Sequence, residues 1–372
     1  MKLTIERAVL LKALAHVQSV VERRNTIPIL SNVLMVAGPD GLALTATDMD
    51  LTIIEVTPAE IATSGAVTAS AHTLYDIVRK LPEGADVTFE ADGDQQQLLL
   101  TAGRSRFTLA TLPREDFPAS SQGEYPCNFS LQAEALKNLI DRTRFAISME
   151  ETRYYLNGIY LHDTKVDEVA LLRAVATDGH RLARFEIPLP EGGAGMPGVI
   201  IPRKTVNELR KLLEETEASI DVSLSETRVR FIVGDTVLTS KLIDGTFPDY
   251  ERVIPSGNDQ MMEVDCKSFR ASVDRVSTIS SEKSRAVKLA LSEGQLVLSA
   301  NAPDSGTAQE ELEVDYGGSS MEIGFNSRYL MEVAQQVSGE VMSFALADSA
   351  SPAVIQDAQD PAALYVLMPM RV

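Results

Sequence analysis

The chain has 372 residues, 44% of them apolar, and carries a formal charge of −19 from 53 acidic and 34 basic side chains. That length allows two or three globular domains, and the lack of any apolar run of about 18 residues leaves no transmembrane helix. On its face the charge argues against nucleic acid, because neutralising phosphates needs Lys and Arg, but a net charge says nothing of where the cations sit.

Leu3-Thr4-Ile5-Glu6-Arg7 reads as a short strand that enters an amphipathic helix through Leu10, Leu11, Leu14 and Val17. Strands are expected over Ile29–Val36, Leu42–Thr47 and Leu51–Val56, with Gly38-Pro39-Asp40-Gly41 as a turn between two of them. Val67-Thr68-Ala69 then precedes a second helix through Leu74, Ile77, Val78 and Leu81. Further strands follow at Asp86–Phe89, Gln97–Leu100 and Arg106–Leu109, and Asp92-Gly93-Asp94 separates the first two.

The whole order then recurs. Phe129-Ser130-Leu131 leads into Leu136, Leu139, Ile140 and Phe145, and Met262-Glu263-Val264 into Phe269, Val273 and Val276. The second unit returns as Val199-Ile200-Ile201-Pro202 before Val206, Leu209, Leu212 and Leu213, and as Met321-Glu322-Ile323 before Tyr329, Leu330, Val333 and Val337. Leu44-Thr45-Ala46-Thr47-Asp48 is echoed by Ala174-Val175-Ala176-Thr177-Asp178 and more weakly by Leu298-Ser299-Ala300-Asn301. The period of about 124 residues is that of a domain, not of a solenoid repeat. The expected fold is α+β: three repeated domains over 1–125, 126–254 and 255–372, each built of two βαβββ units with helices on one side of the sheets. Pro118–Pro126 and Pro255–Asp259 are the expected linkers.

Cys127 and Cys266 have no partner at metal-ligand spacing and imply no disulfide framework, so a reducing cytoplasm is the default. Met1–Glu6 does not read as a signal peptide. Lys and Arg collect on and just after the helices. They include Lys12, Arg23 and Arg24; Arg79 and Lys80; Lys137, Arg142, Arg144 and Arg153; Arg203, Lys204, Arg210 and Lys211; and Lys267, Arg270, Arg275, Lys283, Arg285 and Arg328. Basic helix faces are ordinarily just solvated. Recurrence in each third, together with Tyr154-Tyr155 beside Arg153, favours a phosphate-facing surface that binds without reading sequence.

Asp178-Gly179-His180 suggests an imidazole oriented by a carboxylate, but no nucleophile motif accompanies it and the parallel Thr47-Asp48-Met49-Asp50 lacks the His. A strand-end turn is the plainer reading. No P-loop, dinucleotide or zinc signature occurs; a magnesium site from Asp48 and Asp50 is weakly supported, and neither metal nor cofactor is expected. The terminal Tyr365-Val366-Leu367-Met368-Pro369-Met370-Arg371 alternates as a strand would, with Val366 and Met368 expected on one face and Leu367 on the other. Its methionines suit an open groove for a short peptide with apolar anchors.

Taken together, Ala176–Ala183, Leu242–Tyr250, Arg153–Gly158 and Tyr365–Arg371 resemble the β subunit of bacterial DNA polymerase III, the sliding-clamp family, in order along the whole chain. The resemblance implies a non-catalytic processivity factor. It implies a head-to-tail homodimer, with sheets outside and helices lining a central hole that encircles duplex DNA. Its partners would be the polymerase III α subunit, the clamp loader and other proteins with clamp-binding peptides, in the cytoplasm and away from membranes. Carried over, the peptide groove maps to Thr177, Gly179, His180, Arg181, Leu182, Pro248, Arg252, Val253, Val366, Met368, Pro369, Met370 and Arg371. DNA contacts map to Arg24, Asn25, Arg153, Tyr154 and Tyr155, with Arg79, Arg203, Lys204 and Lys283 added from the basic helices and loops. The subunit interface maps to Leu109 opposite Ile279, with Arg104 and Arg106 facing Glu310 and Glu311. The chain departs from the family at Val372, at Pro352 and at Glu251 inside the 248–253 segment.

Overall fold

A computed structural model describes residues 1–92, 97–119, 123–280 and 285–371. The first third runs β1 (Lys2–Glu6), α1 (Arg7–Gln18), β2 (Asn32–Gly38), β3 (Gly41–Thr47), β4 (Leu51–Thr57), β5 (Glu60–Thr63), β6 (Gly65–Ser70), α2 (Ala71–Lys80), β7 (Asp86–Asp92), β8 (Gln97–Ala102) and β9 (Ser105–Ala110). The second runs β10 (Cys127–Gln132), α3 (Ala133–Asp141), β11 (Gly158–Val166), β12 (Val169–Thr177), β13 (Arg181–Pro188), β14 (Val199–Pro202), α4 (Arg203–Leu212), β15 (Ser219–Leu224), β16 (Arg228–Val233) and β17 (Thr236–Lys241). The third runs β18 (Gln260–Asp265), α5 (Cys266–Ser277), β19 (Ala286–Ser292), β20 (Gln295–Ala302), β21 (Gly306–Glu313), β22 (Asp315–Tyr316), β23 (Met321–Asn326), α6 (Ser327–Ala334), β24 (Val341–Leu346), β25 (Ala353–Asp357) and β26 (Asp360–Leu367).

Among the described residues the strand–helix–three-strand unit thus occurs six times, with β5 and β22 as short additions where one unit hands over to the next. Several expected boundaries shift: the helices expected to reach Leu81, Leu213 and Val337 end at Lys80, Leu212 and Ala334. The strand expected from Ile29 begins at Asn32, because Pro28 opens a 3-10 turn over Pro28–Ser31. Phe145 lies in a 3-10 turn at Arg144–Ala146 rather than on α3, which ends at Asp141. The Asp92-Gly93-Asp94 turn and the 118–126 linker fall partly outside the described residues.

The chain divides into two compact units: residues 1–134, 190–197 and 204–242 in one, and 135–189, 198–203 and 243–372 in the other. The first holds a five-stranded sheet, β5-β1-β7-β8-β9, and an eight-stranded sheet, β10-β15-β16-β17-β4-β3-β2-β6. The second holds a nine-stranded sheet, β14-β11-β12-β13-β26-β25-β24-β18-β22, and a four-stranded sheet, β21-β20-β19-β23. The reason for two units rather than three lies in the ladders. β17 of the second third pairs with β4 of the first (Leu238 opposite Ile53), and β26 of the third pairs with β13 of the second (Leu182 opposite Val366). Backbone hydrogen bonds running across the joints weld neighbouring thirds together.

The helices form because their apolar residues recur on one stripe. α1 buries Leu10, Ala13, Leu14 and Val17, and α5 buries Cys266, Phe269, Val273 and Val276. Asp265 caps α5 by accepting from the Ser268 N–H at 2.7 Å, and Asn326 caps α6 by accepting from Arg328 N–H at 3.0 Å, each worth about 1 kcal/mol.

His16 of α1 is held between two carboxylates. Nδ1 lies 2.6 Å from Glu55 Oε2 and Nε2 lies 3.1 Å from Glu215 Oε1. Thr236 Oγ1 donates to the same Glu55 oxygen at 3.3 Å, and Lys12 Nζ sits 2.7 Å from Glu215. Burial alone would lower the imidazole pKa, but the two carboxylates outweigh it and raise it. A raised folded-state pKa gives stability that is present below the unfolded value of about 6.5 and lost as pH rises through the folded one. Thermal unfolding scanned from about pH 6 to pH 9 should therefore show the parent losing more stability than His16→Gln. Parallel profiles would refute the assignment.

Candidate functional site

The turn between β12 and β13 is built by its own side chains. Asp178 Oδ1 accepts from the backbone N–H groups of His180 (2.9 Å) and Arg181 (3.1 Å). Thr177 Oγ1 accepts from Gly179 N–H at 3.1 Å and donates to the Arg181 carbonyl at 2.7 Å. Gly179 takes φ +86. The Asp178 carboxylate thus binds the backbone and the Arg181 side chain, not the imidazole, which removes the basis for reading Asp178 and His180 as an acid–base pair.

The turn between β3 and β4 repeats this arrangement. Asp48 Oδ1 accepts from Asp50 N–H (3.0 Å) and Leu51 N–H (2.7 Å), while Thr47 Oγ1 accepts from Met49 N–H (3.1 Å) and donates to the Leu51 carbonyl (3.0 Å). The remaining Asp48 oxygen binds Lys204 at 2.6 Å, and Asp50 binds Lys241 at 2.9 Å, so lysines take both carboxylates considered for magnesium. Here Met49 occupies the left-handed region, φ +80, where Gly179 sits in the second copy. That conformation costs an L-residue roughly 1–2 kcal/mol. Met49→Gly should raise stability by about 0.5–1 kcal/mol, the strain relief exceeding the entropy of a new glycine. Gly179→Ala should lower stability, for the same φ and because its Cβ would lie 2.5 Å from Arg153 Nη1. Thermal melts of both variants check the pair of signs.

β13 and β26 bring the other groove residues beside this turn. Leu182 stands opposite Val366 and Arg181 opposite Leu367; Met368 N–H then donates to the His180 carbonyl at 2.9 Å, and Met370 N–H to the Gly324 carbonyl at 2.8 Å. Leu182 and Val366 are buried among Leu156, Val175, Ile200, Phe247, Tyr250, Val354 and Leu364. The expected alternation of the tail is corrected: Val366 and Leu367 are both buried, because β26 lies inside a sheet covered on both faces, and Met368 is exposed only because the strand has ended. The apolar rim open to solvent is Val253 and Met368, at 54% and 44% exposure, with Pro248 exposed and Pro369 and Met370 half-buried. Arg252, Arg371 and His180 are exposed and Thr177 is half-buried. Arg181 is not part of that rim. Its guanidinium is buried against Asp178, Glu332, the Phe145 carbonyl and the ring of Tyr329.

The segment carrying Pro248 and Val253 is anchored by residues that the sequence reading did not assign to the site. Phe247 stacks on Tyr160 (4.8 Å between centroids), and Tyr160 on His162 (4.7 Å). His162 Nδ1–H donates to the Asp163 carbonyl at 2.8 Å, so Nε2 accepts from Tyr250 Oη at 3.0 Å, and that oxygen accepts from buried Arg173 at 2.9 Å. Arg173 also reaches Glu251 at 2.9 Å and Glu186 at 2.8 Å. Glu251 is therefore tied to Arg173, a buried cation that needs it. The two aromatics of Phe247-Pro248-Asp249-Tyr250, three residues apart, were the available signal for these anchors.

The residues assigned to DNA separate by surroundings. Arg24 is exposed. Asn25 instead holds its own loop, its amide donating to the Glu22 carbonyl at 2.9 Å. Arg79 is exposed on the last turn of α2 beside Asp76 at 3.1 Å. Arg153 is half-buried and grips Glu150 through two hydrogen bonds of 2.8 and 2.6 Å, which hold the Glu150 carboxyl below its ordinary range. Tyr154 is 53% exposed and lies edge-on to Tyr155, which packs against the apolar cluster. Arg203, half-buried, opens α4. Lys204 is a correction: its ammonium is held by Asp48 (2.6 Å), Glu22 (2.5 Å) and the Val20 carbonyl (3.0 Å), leaving little for a phosphate. Lys283 lies outside the described residues.

The residues assigned to a subunit interface lie on two sheet edges. β9 closes one end of the five-stranded sheet, with Arg106 exposed, Phe107 and Leu109 half-buried, and Arg104 exposed in the turn before it. β21 closes one end of the four-stranded sheet, with Gln309, Glu311 and Glu313 exposed and Ala308, Glu310 and Leu312 half-buried. Ile279 is half-buried just after α5. Glu310 is already bound twice by Arg275 of its own chain, at 2.8 and 2.6 Å, which corrects its expected pairing with Arg104 or Arg106 and leaves Glu311 as the outward carboxylate.

Comparison with known proteins finds relatives along the whole chain. Models of the N-terminal, central and C-terminal domains of the DNA polymerase III beta subunit match residues 1–121, 130–249 and 251–371. The beta sliding clamp of Caulobacter vibrioides is 55% identical over 372 residues, all of both chains. The crystal structure of the C. crescentus beta sliding clamp, with PEG bound to a putative beta-motif tethering region, superposes with a TM-score of 0.98 at 55% identity, over 100% of this chain and 99% of that one. The sliding clamp from Bartonella birtlesii bound to griselimycin gives 0.97 at 52% identity over 100% of both. With all three domain models matched in order and the relatives aligned end to end, this chain belongs to the DNA polymerase III β subunit family, the β sliding clamps.

Proposed function

We propose that two copies of this chain join head to tail into a ring around duplex DNA and tether the polymerase III α subunit, the clamp loader and other partners through short peptides. The observation that carries this is the end-to-end match to β sliding clamps at 55% identity. The family is a non-catalytic processivity factor, and this chain is one of its members. The three family-matched segments support repeat domains at 1–125, 126–254 and 255–372.

The mechanism is topological. A closed ring cannot leave duplex DNA sideways, so individual phosphate contacts from Arg24, Arg79, Arg153 and Arg203 can be weak and screened, and sliding follows. The formal charge of −19 discourages the outer surface from sticking to DNA. Peptides of partners would lay apolar side chains across Val253, Met368 and Pro248, and the attached enzyme is then kept at high effective concentration. The PEG bound at the tethering region of the C. crescentus clamp supports a ligand-accepting groove in this chain. No helix among the described residues is long and apolar enough to cross a membrane, and a cytoplasmic location is part of the proposal. After loading, the protein should stay on nicked circular DNA and run off the same DNA once linearised. Equal loss from both would overturn the ring.

A further inference from the structure

Arg181 sits in the middle of the sequence assigned to the peptide groove, yet its side chain is 6% exposed and is held by Asp178, Glu332 and the Phe145 carbonyl. Its Nε donates to Asp178 Oδ2 at 3.2 Å, the carboxylate that shapes the turn carrying Gly179 and His180. Its Nη1 binds Glu332 on α6, and its Nη2 donates to the Phe145 carbonyl. The planar cation lies 4.2 Å from the ring centre of Tyr329, also on α6, and 5.1 Å from that of Phe145. Phe145 in turn meets Tyr365 of β26 at 5.8 Å between centroids. A guanidinium that binds three acceptors, one through each of its nitrogens, and lies near two aromatic rings is held in place, with little left for a ligand.

The other side of the groove is fastened to the same element. Met370 N–H donates to the carbonyl of Gly324, on the strand β23 that runs directly into α6. The β23–α6 segment, Met321–Ala334, therefore holds both walls: the 177–181 turn through Arg181 and Glu332, and the terminal tail through Gly324 and Met370. Resting on the groove reading above, we infer that Arg181 is a positioning residue that braces the groove walls against α6 through Glu332, and that it does not itself contact the bound peptide.

A contact residue and a brace predict different outcomes. Affinities would be measured for two short apolar peptides, one flanked by acids and one neutral, against the full-length parent, Arg181→Gln, Glu332→Gln and the double variant, at low and high salt. A brace predicts that each single substitution weakens both peptides alike, by about tenfold, with the salt dependence unchanged. The double variant should be no weaker than either single, because both remove one strut. Glu332 is 23% exposed, so Glu332→Gln keeps the test open if Arg181→Gln melts early. A direct contact predicts loss confined to the acidic peptide on Arg181→Gln, and unchanged or tighter binding on Glu332→Gln. Either of those results overturns the inference. Failure of the parent to bind either peptide would count against the groove itself, a separate outcome.

Discussion

Replacing Val253 and Met368 together by Asp should abolish measurable binding of apolar clamp-binding peptides, weakening affinity by about 100-fold or more, as the loss of two central anchors does. Both are large apolar side chains of the groove that the fold leaves exposed, at 54% and 44%. The choice follows from burial. Leu182 and Val366, each 2% exposed, are core residues whose truncation would open a cavity and lower folding stability, confusing the readout. Val253 lies at the end of a short 3-10 turn fixed by Tyr250, and Met368 lies one residue past the end of β26, its backbone N–H donating to the His180 carbonyl. Neither side chain is needed for those contacts, so the melting temperature should stay within about 2 °C of the parent. Peptide affinity by calorimetry and stability by thermal unfolding read the two effects separately. A double variant that still binds at parental strength would move the peptide site elsewhere.

How much of this was legible in the sequence varies with the kind of interaction. The repeat could be read because each βαβββ unit must bury one helix stripe and one sheet face, and that need imposes the same periodicity six times. The Thr-Asp turn could be read as a turn, and both copies use the same side-chain-to-backbone hydrogen bonds. What the repeat hides is where the two copies diverge. In the groove, Leu182 faces Val366 across the β13–β26 joint; at the equivalent β4–β17 joint, Thr52 faces Thr239. Lys241 N–H donates to the Asp50 carbonyl at 2.8 Å there, as Met368 N–H does to His180 in the groove. The backbone frame is shared and the apolar chemistry is not, so only one of the two joints offers an apolar rim. Charge partners were the least legible. Lys204 looks like an exposed helix-start cation until Asp48 and Glu22, far away in sequence, are seen around it. Glu310 likewise looks outward until Arg275 is placed beside it. Such pairings depend on tertiary distance, and no local pattern encodes them.

The second large effect concerns assembly. Arg106→Glu should leave the protein monomeric at micromolar concentration, Glu311→Arg should do the same, and the double exchange should restore the dimer. Among the described residues β9 and β21 each end a sheet, so each presents backbone N–H and C=O groups on its outer side, a state that invites pairing with another chain. Their side chains alternate in matching fashion. β9 turns Arg106 and Thr108 to solvent and Phe107 and Leu109 inward; β21 turns Gln309, Glu311 and Glu313 to solvent and Ala308, Glu310 and Leu312 inward. Joined edge to edge, basic residues would meet acidic ones on the outer face while Leu109 and Phe107 extend the apolar layer toward Leu312 and Ile279. Two different edges on one chain make a heterologous contact, which closes into a ring only if the rotation between copies allows it. Like charges placed opposite each other cost several kcal/mol, so each single reversal should weaken association by about 100- to 1,000-fold. Because the pair is near solvent, raising salt should soften the penalty of the single variants. Sedimentation equilibrium reads all four proteins directly. If both single variants stay dimeric, these edges are not the joint; if the double variant stays monomeric, the joint is there but Arg106 and Glu311 do not face each other across it.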